Sequence, residues 1–192
     1  TWEIATKSVI GADCKYYLHQ IKTYREMFFE VINHLNINLD DFNKKFSYSF
    51  VLQHPENRIV SNIKYMNLIL IKCYSFENSI IKEELIDEKF NFLRPVELTN
   101  IFYKTTIEEI FNNYLSFTTE KKDFNKVGIV LTNKNCERIK IRNFYYEHVK
   151  RLKGNSPKMQ FMYYTIKRLN RIKEFLTFFP ESAIDFLKFK NE

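Results

Sequence analysis

The spacing of apolar residues changes along this chain, and that change limits the folds that the chain can adopt. Between Asp13 and Leu35 the apolar residues recur every three or four positions, which predicts an amphipathic helix of about six turns. Residues 48–74 and 127–142 contain short runs rich in β-branched and aromatic residues, as strands do. Helical spacing returns after residue 143. Helices and strands kept in separate stretches predict an α+β fold.

The strand-like runs predict a mixed sheet. Strands are expected at residues 1–8, 48–52, 58–61, 66–74, 127–132 and 137–142. The last two are separated by Asn133-Lys134-Asn135, and asparagine tolerates the positive φ of a tight turn, so they are expected to form a hairpin.

Helix boundaries are marked by capping residues. The capping box at Thr106–Glu109 predicts a helix that runs to about Leu115. Further helices are expected at 145–152, at 158–178 after Ser156-Pro157, and after Pro180. We therefore expect one long amphipathic helix before the sheet and a basic helical tail at the C-terminal end.

Composition excludes several classes of protein. There is no apolar run of about 18 residues, so no membrane span is predicted. Cys14, Cys73 and Cys136 are widely spaced and form no C-x-x-C pair, which argues against zinc and disulfides and favours a reducing compartment. The four histidines lack ligand spacing, and His54 is interpreted as a turn residue rather than a base. The chain opens on Thr1 within strand-like sequence, which favours a fragment of a longer protein.

Positive charge is concentrated in one part of the chain. The formal net charge is +7, and the segment from Arg138 to Lys173, called here the basic segment, holds the whole excess because Glu147 is its one acidic residue. A clustered basic surface is typical of proteins that bind polyanions such as nucleic acids. A solvated helix face is the alternative, and charge alone does not decide between the two.

The basic segment begins with the sequence RIKIRN. In a strand, Arg138, Lys140 and Arg142 point to one face, and Ile139 and Ile141 point to the other, toward a core. Three like charges at this spacing repel one another unless solvent screens them or an anion binds. The pattern therefore predicts either an anion site or an edge strand protected by its charges.

Four short phrases occur in a distinctive order: ATKS at 5–8, PENRIV at 55–60, VGIV at 127–130 and KIR at 140–142. Together they resemble the covalent nucleotidyltransferases, above all the ATP-dependent RNA ligases of bacteriophages and large DNA viruses. The resemblance covers most of residues 1–145. It implies a partial adenylylation domain over 1–145 with a mostly antiparallel sheet of the nucleotidyltransferase (ATP-grasp-like) type, followed by a helical basic tail over 146–192.

The resemblance also implies a reaction and its site. A lysine amine attacks the α-phosphate of ATP, pyrophosphate leaves, and fixed cations stabilise the charge on phosphate. ATP and Mg²⁺ are the implied cofactors, and RNA or another nucleic acid, with no membrane, is the implied partner. The phosphate-binding residues would be Lys7, Lys140 and Arg142. The nucleotide pocket would contain Phe50, Tyr74 and Gly128.

The sequence departs from this family at decisive places. The nucleophilic K-x-D-G phrase is absent, so no catalytic residue is assigned and the chain alone is predicted to be inactive. Val51 and Val127 stand where family members carry glutamates, and aliphatic side chains cannot bind Mg²⁺. Either Glu56 or Asp123 substitutes, or the metal site is degenerate. The alternative function is a non-catalytic nucleic-acid-binding or viral structural protein on the same fold; in either case the expected location is cytoplasmic, in a viral factory or a virion.

The tail combines cations with aromatic residues. Tyr163 and Tyr164 lie among basic residues at helical spacing, which suits contact with phosphates and stacking on bases. Packing of an apolar stripe on the domain, with the lysines in water, is equally compatible, and both can hold on different faces. The expected nucleic-acid-binding residues are Lys150, Arg151, Lys167 and Arg171.

Overall fold

The computed structural model describes residues 1–16, 21–97, 106, 108–110, 112, 123–133 and 137–191. They belong to two compact units: unit 1 comprises Thr1–Arg58 and Ile63–Thr99, and unit 2 comprises Ile59–Asn62 and Asn100–Glu192. The architecture is a mixed α+β fold with small antiparallel sheets and several helices, as expected. No described helix is both long and apolar enough to cross a membrane.

Unit 1 contains one described α-helix, α1, two short 3-10 helices at Leu39–Asp41 and Glu88–Leu93, and a three-stranded antiparallel sheet in the order β1-β2-β3. The bounds are Tyr24–His34 for α1, Phe46–Gln53 for β1, Asn67–Glu77 for β2 and Ile80–Glu84 for β3. The strands expected at 48–52 and 66–74 are therefore confirmed, each somewhat longer. β3 was not predicted, although Asn78-Ser79, both at positive φ, marks the tight turn before it.

One face of this sheet forms the core of unit 1. Leu68, Leu70 and Cys73 of β2 are buried, and Val31 and Ile32 of α1 belong to the same buried interior. β1 turns its aromatic residues to this face and its small residues away from it, in strict alternation. The period of two in β1 therefore defines which side chains face inward.

The long amphipathic helix expected from Asp13 is wrong in its first half. The described residues before Thr23 are not helical, and α1 starts where the Thr23 hydroxyl accepts from the Glu26 amide while the Glu26 carboxylate accepts from the Thr23 amide. This capping box fixes the start more strongly than the apolar spacing upstream. The predicted end is confirmed, because Asn36 at φ 52° closes the helix with a bond from the Ile37 amide to the Ile32 carbonyl.

Two predicted strands are absent from the structure. Residues 1–8 contain only an isolated bridge between Ala5 and Ile10, because the Thr6 hydroxyl accepts from the Val9 amide and bends the chain. Residues 58–61 form bends instead of a strand, and the Ser61 hydroxyl donates to the Asn125 carbonyl. A local side-chain bond replaces the strand ladder at Thr6, whereas Ser61 bonds to backbone that is distant in sequence.

Unit 2 contains a hairpin of β4 and β5, whose register pairs Gly128 with Arg142 and Thr132 with Arg138. The predicted hairpin is thus confirmed; its turn residues 134–136 lie outside the described residues. The capping box at Thr106 is also confirmed by its two reciprocal hydrogen bonds with Glu109, whereas the end expected near Leu115 lies outside the described part. The strands are Gly128–Thr132 (β4) and Arg138–Arg142 (β5).

Helices follow the hairpin. Their bounds are Phe144–Lys153 for α2, Met159–Arg168 for α3, Ile172–Phe178 for α4 and Ala183–Asn191 for α5. The helix expected over 158–178 is broken because Asn170 adopts φ 53° and the Arg171 amide bonds to the Ile166 carbonyl, which ends α3. Gly154 at φ 71° ends α2 as predicted.

The core of unit 2 is built largely by these helices. Its buried members are Val60, Val149, Leu152, Met162, Tyr163, Ile166, Phe175, Phe179 and Phe186. The hairpin and the tail helices share this unit. The expected functional division at residue 145 and the nucleotidyltransferase type of the sheet both stay predictions.

Candidate nucleic-acid interface

The cations of β5 share one face of the hairpin, as the alternation predicted. Arg138, Lys140 and Arg142 are all exposed, and Lys140 lies directly opposite Val130 of β4. Ile139 was expected to face a core, and this prediction is wrong because 59% of the residue is exposed. This hairpin leaves apolar residues exposed on both of its faces, since Val130 on the face of Lys140 is 53% exposed.

Repulsion along this row is relieved at one end. A guanidinium nitrogen of Arg142 donates to Glu147 at 2.9 Å, and Glu147 is the one acidic residue of the basic segment. Such an exposed pair contributes at most about 1 kcal/mol to stability. Its larger consequence is for binding, because Arg142 carries a compensated charge whereas Arg138 and Lys140 have no ion-pair partner among the described residues.

Asn143 fixes the junction between β5 and α2. Its side-chain oxygen accepts from the Tyr145 amide at 2.8 Å and caps α2. Its side-chain nitrogen donates to the carbonyls of Asp123, at 2.7 Å, and Lys126, at 2.9 Å. The side chain is fully buried, so one residue links the entry of β4 to the start of the first basic helix.

Arg171 is engaged in a network between α2 and α4. Its guanidinium donates two bonds of 2.7 Å to the two carboxylate oxygens of Glu174, and His148 of α2 lies 3.0 Å from the same carboxylate. The Arg171 guanidinium, helped by His148, lowers the pKa of Glu174 to about 2. Sequence reasoning placed Arg171 on a nucleic-acid surface; the structure shows its charge neutralised by a neighbour.

Other cations of the basic segment are available. Lys150 is half-buried and Arg151 is exposed, and neither has an ion-pair partner among the described residues. Lys167 is exposed and lies 5.4 Å above the ring of Tyr163. Three further exposed cations without an ion pair in the described part of the chain are Lys158, Arg168 and Lys173.

Helix α3 separates its aromatic residues between two faces. Met162, Tyr163 and Ile166 are buried in the core. Phe161 and Tyr164 are exposed by 63% and 45%. The packing alternative left open by the sequence is therefore observed for one face of α3, and Tyr163 belongs to that face. The contact of the exposed face with nucleic acid stays a prediction. Tyr164 was named from the sequence, whereas Phe161 was not, because the exposed face is defined only once the helix phase is known.

Unit 1 has a separate cavity of about 410 Å³. Aromatic rings dominate its lining, and Glu3 is the one carboxylate in that lining. Among the described residues that line it there is no lysine or arginine. A flat ring system fits this chemistry, whereas phosphates find no cation there. Aromatic lining residues include Trp2, Tyr24, Phe28, Phe42, Phe46, Tyr48 and Phe50.

The expected nucleotide residues are distributed over both units. Phe50 lines the cavity together with Thr6, and Lys7 follows Thr6 in an exposed turn. Tyr74 pairs with Ser47 on the opposite face of the sheet from Phe50, so the two do not line the same pocket. Gly128, like Lys140 and Arg142, belongs to unit 2.

The described residues do not fit Mg²⁺. No group of three histidine, cysteine, aspartate or glutamate side chains in the described part of the chain could hold a metal ion. Glu56 binds Lys22 at 2.8 Å, and Asp123 accepts from the Asn125 amide at 2.9 Å. Val51 points away from the core and is exposed. Val127 is exposed as well. Neither substitute carboxylate is therefore set up for a metal.

His54 behaves as the turn residue that the sequence predicted. Its Nδ1 accepts from the Glu56 amide at 3.1 Å, so that lone pair is engaged. Its Nε2 faces a carboxylate oxygen of Glu30 at 3.4 Å. The residue is 3% exposed.

Comparison with known proteins adds no relative. No family model, no curated protein and no solved structure matches the chain. The likeness to nucleotidyltransferases therefore rests on the four sequence phrases and is carried forward only as a proposal.

Proposed function

We propose that this protein binds nucleic acid, RNA above all, through the cationic surface of unit 2. The observation that carries the proposal is the set of exposed cations in the basic segment that lack ion-pair partners among the described residues. Two cations of this segment, Arg142 and Arg171, are neutralised by nearby carboxylates. The remaining open cations are concentrated in one basic segment, which suits a partner that supplies many negative charges.

The charge pattern favours a polyanion over a single small anion. Arg138 and Lys140 lie along β5, whereas Lys150 and Arg151 lie on α2 and Arg168 lies on α3. They are spread over several elements of one unit. A nucleic-acid backbone presents phosphates over such a length, and release of its counterions supplies the driving force.

Binding should depend steeply on salt, and the slope should identify the residues. In the double variant Lys150→Ala and Arg151→Ala we expect the slope of log affinity against log salt to fall by roughly 0.7 for each lost phosphate contact. The measurement is fluorescence anisotropy of a labelled single-stranded RNA at several salt concentrations.

The matched control is Lys45→Ala with Lys64→Ala, which removes the same charge from exposed positions of unit 1. That variant should keep the wild-type slope. An equal fall of the slope in both variants would mean that net charge alone governs binding. An unchanged slope in the unit 2 variant would remove α2 from the interface.

A second candidate function is adenylyl transfer, with unit 1 as part of a ligase-like nucleotidyltransferase. Thr6, which belongs to one of the four phrases, and Phe50, which the resemblance assigns to the nucleotide pocket, line the aromatic cavity of unit 1, and this favours the candidate. Bound ATP would supply the activated phosphate. Within this chain Phe50 would orient the base, and the K-x-D-G nucleophile is absent. The lack of cations in the lining and of a metal cluster among the described residues counts against a complete site.

Trp2 provides a direct test because it is the single tryptophan and lines the cavity. We expect adenosine to change its fluorescence and ATP to do so more weakly, since the lining offers phosphate no cation. Ribose 5-phosphate, which lacks a base, is the control and should have no effect. Incubation with radiolabelled ATP and Mg²⁺ should leave no label on the denatured chain. A covalent label lost on replacing one lysine would show that a nucleophile is present after all, and no fluorescence change with adenosine would remove the cavity from this candidate.

A further inference from the structure

We propose that α3 presents Phe161 and Tyr164 as a stacking platform for two unpaired bases, with Lys167 and Arg168 beside them for phosphates. This rests on the proposed nucleic-acid binding and names the form of the nucleic acid: it is single-stranded. In the residues that the structure describes, no other helix has two aromatic residues so exposed and three positions apart next to cations.

Helix geometry places these four side chains together. Phe161 and Tyr164 are three residues apart, and Tyr164 is three and four residues from Lys167 and Arg168, so each is a surface neighbour of the next. The buried stripe of Met162, Tyr163 and Ile166 fixes the rotation of the helix. The aromatic pair and Arg168 are therefore held on the opposite face by packing, and Lys167 lies at the edge of that face, above the Tyr163 ring.

The ring of Tyr164 contacts a buried ring. Its centroid lies 5.2 Å from that of the buried Tyr163, at an interplanar angle of 61°. Phe161 has no ring contact with any described residue. Because the Tyr164 ring already packs against Tyr163, it loses little conformational freedom when a base stacks on it, which favours binding. Exposing two such rings to water has a cost that a stacked base would recover.

Charge decides what kind of partner covers this face. Helix α3 contains no acidic residue, and Lys158, Lys167 and Arg168 flank the aromatic pair without an ion pair in the described residues. A second copy of this chain that docked through the same basic face would be repelled. A duplex hides its base faces within its own stack, whereas a single strand offers both base faces and phosphates.

The test measures binding of a labelled 12-nucleotide RNA, the same sequence as a duplex, and inorganic polyphosphate. Alanine at Phe161 or at Tyr164 should each weaken single-strand binding about tenfold, because one stacked base is worth on the order of one factor of ten. Binding of polyphosphate should not change. Phe161→Leu keeps apolar bulk without a π face and should lose nearly as much as Phe161→Ala.

The outcomes distinguish failure of the proposed nucleic-acid binding from failure of the stacking platform. No binding of any polyanion by the wild type would overturn the nucleic-acid function and this platform together. Salt-dependent binding that both alanine variants retain would overturn the platform alone. Full retention by Phe161→Leu, or equal affinity for single strand and duplex, would also overturn it. Self-association in sedimentation that Phe161→Ala abolishes, with RNA binding intact, would assign this face to a second copy.

Discussion

Replacing Asn143 by alanine should destabilise unit 2 by about 4 kcal/mol. The substitution removes the acceptor that caps α2 and both donors to the carbonyls of Asp123 and Lys126. Loss of a helix cap costs about 0.5–2 kcal/mol, and each buried group left without a partner costs about 1–3 kcal/mol. Domains of this size are stable by only about 5–15 kcal/mol, so the loss is a large fraction of the total.

The measurement is urea unfolding followed by far-ultraviolet circular dichroism. Asn143→Ser is the matched control, because serine keeps a capping oxygen and loses only the two donors; it should retain about 1 kcal/mol more than alanine. Fluorescence of Trp2, which lies in unit 1, reports that unit separately. A loss below about 1 kcal/mol for alanine would mean that the buried amide bonds contribute little.

Local signals predicted the elements that are fixed by residues close in sequence. The hairpin of β4 and β5, the cap at Thr106 and the end of α2 at Gly154 each depend on a few adjacent residues and were predictable. The start of α1 at Thr23 had the same kind of signal, a T-x-x-E phrase, but apolar spacing extending upstream outweighed it. Where cap and periodicity disagree in this chain, the cap is correct.

The site was harder to predict because it depends on contacts between elements. The sequence shows that Arg171 is basic, but only the fold shows that Glu174, three residues on, takes both of its hydrogen bonds and that His148 joins them from another helix. Similarly, Tyr163 and Tyr164 differ only through the phase of α3, which puts one in the core. Charge composition identifies the basic segment. Which of its cations lack an ion-pair partner is decided by the tertiary structure.

The sheet shows the same limit for the nucleotide residues. Phe50 and Tyr74 both belong to predicted strands, but their faces depend on the register of β1 against β2, which contains a shift between Ser49 and Phe50. A bulge of this kind changes which residues face each other along the partner strand. No pattern within either strand alone reveals it.

Gly128, assigned to a nucleotide pocket by the resemblance, should prove to be a structural glycine. Its φ is +152°, and a Cβ at this position would lie 2.3 Å from the Ile141 carbonyl oxygen and 3.0 Å from the Arg142 Cα. Both obstacles are backbone atoms of the paired strand and cannot rotate away. Gly128→Ala should therefore force β4 and β5 apart and cost about 3 kcal/mol, from strain together with lost strand pairing.

Amide hydrogen exchange in β4 and β5, together with urea unfolding, measures this effect. The control is Val130→Ala in the same strand, since Val130 is exposed and its truncation should change stability by less than about 1 kcal/mol. Separation of the strands would also disperse the row of Arg138 and Lys140, so the affinity for RNA should fall in Gly128→Ala and not in the control. Full hairpin protection and unchanged stability in Gly128→Ala would show that the pairing of β4 and β5 does not require glycine at this position.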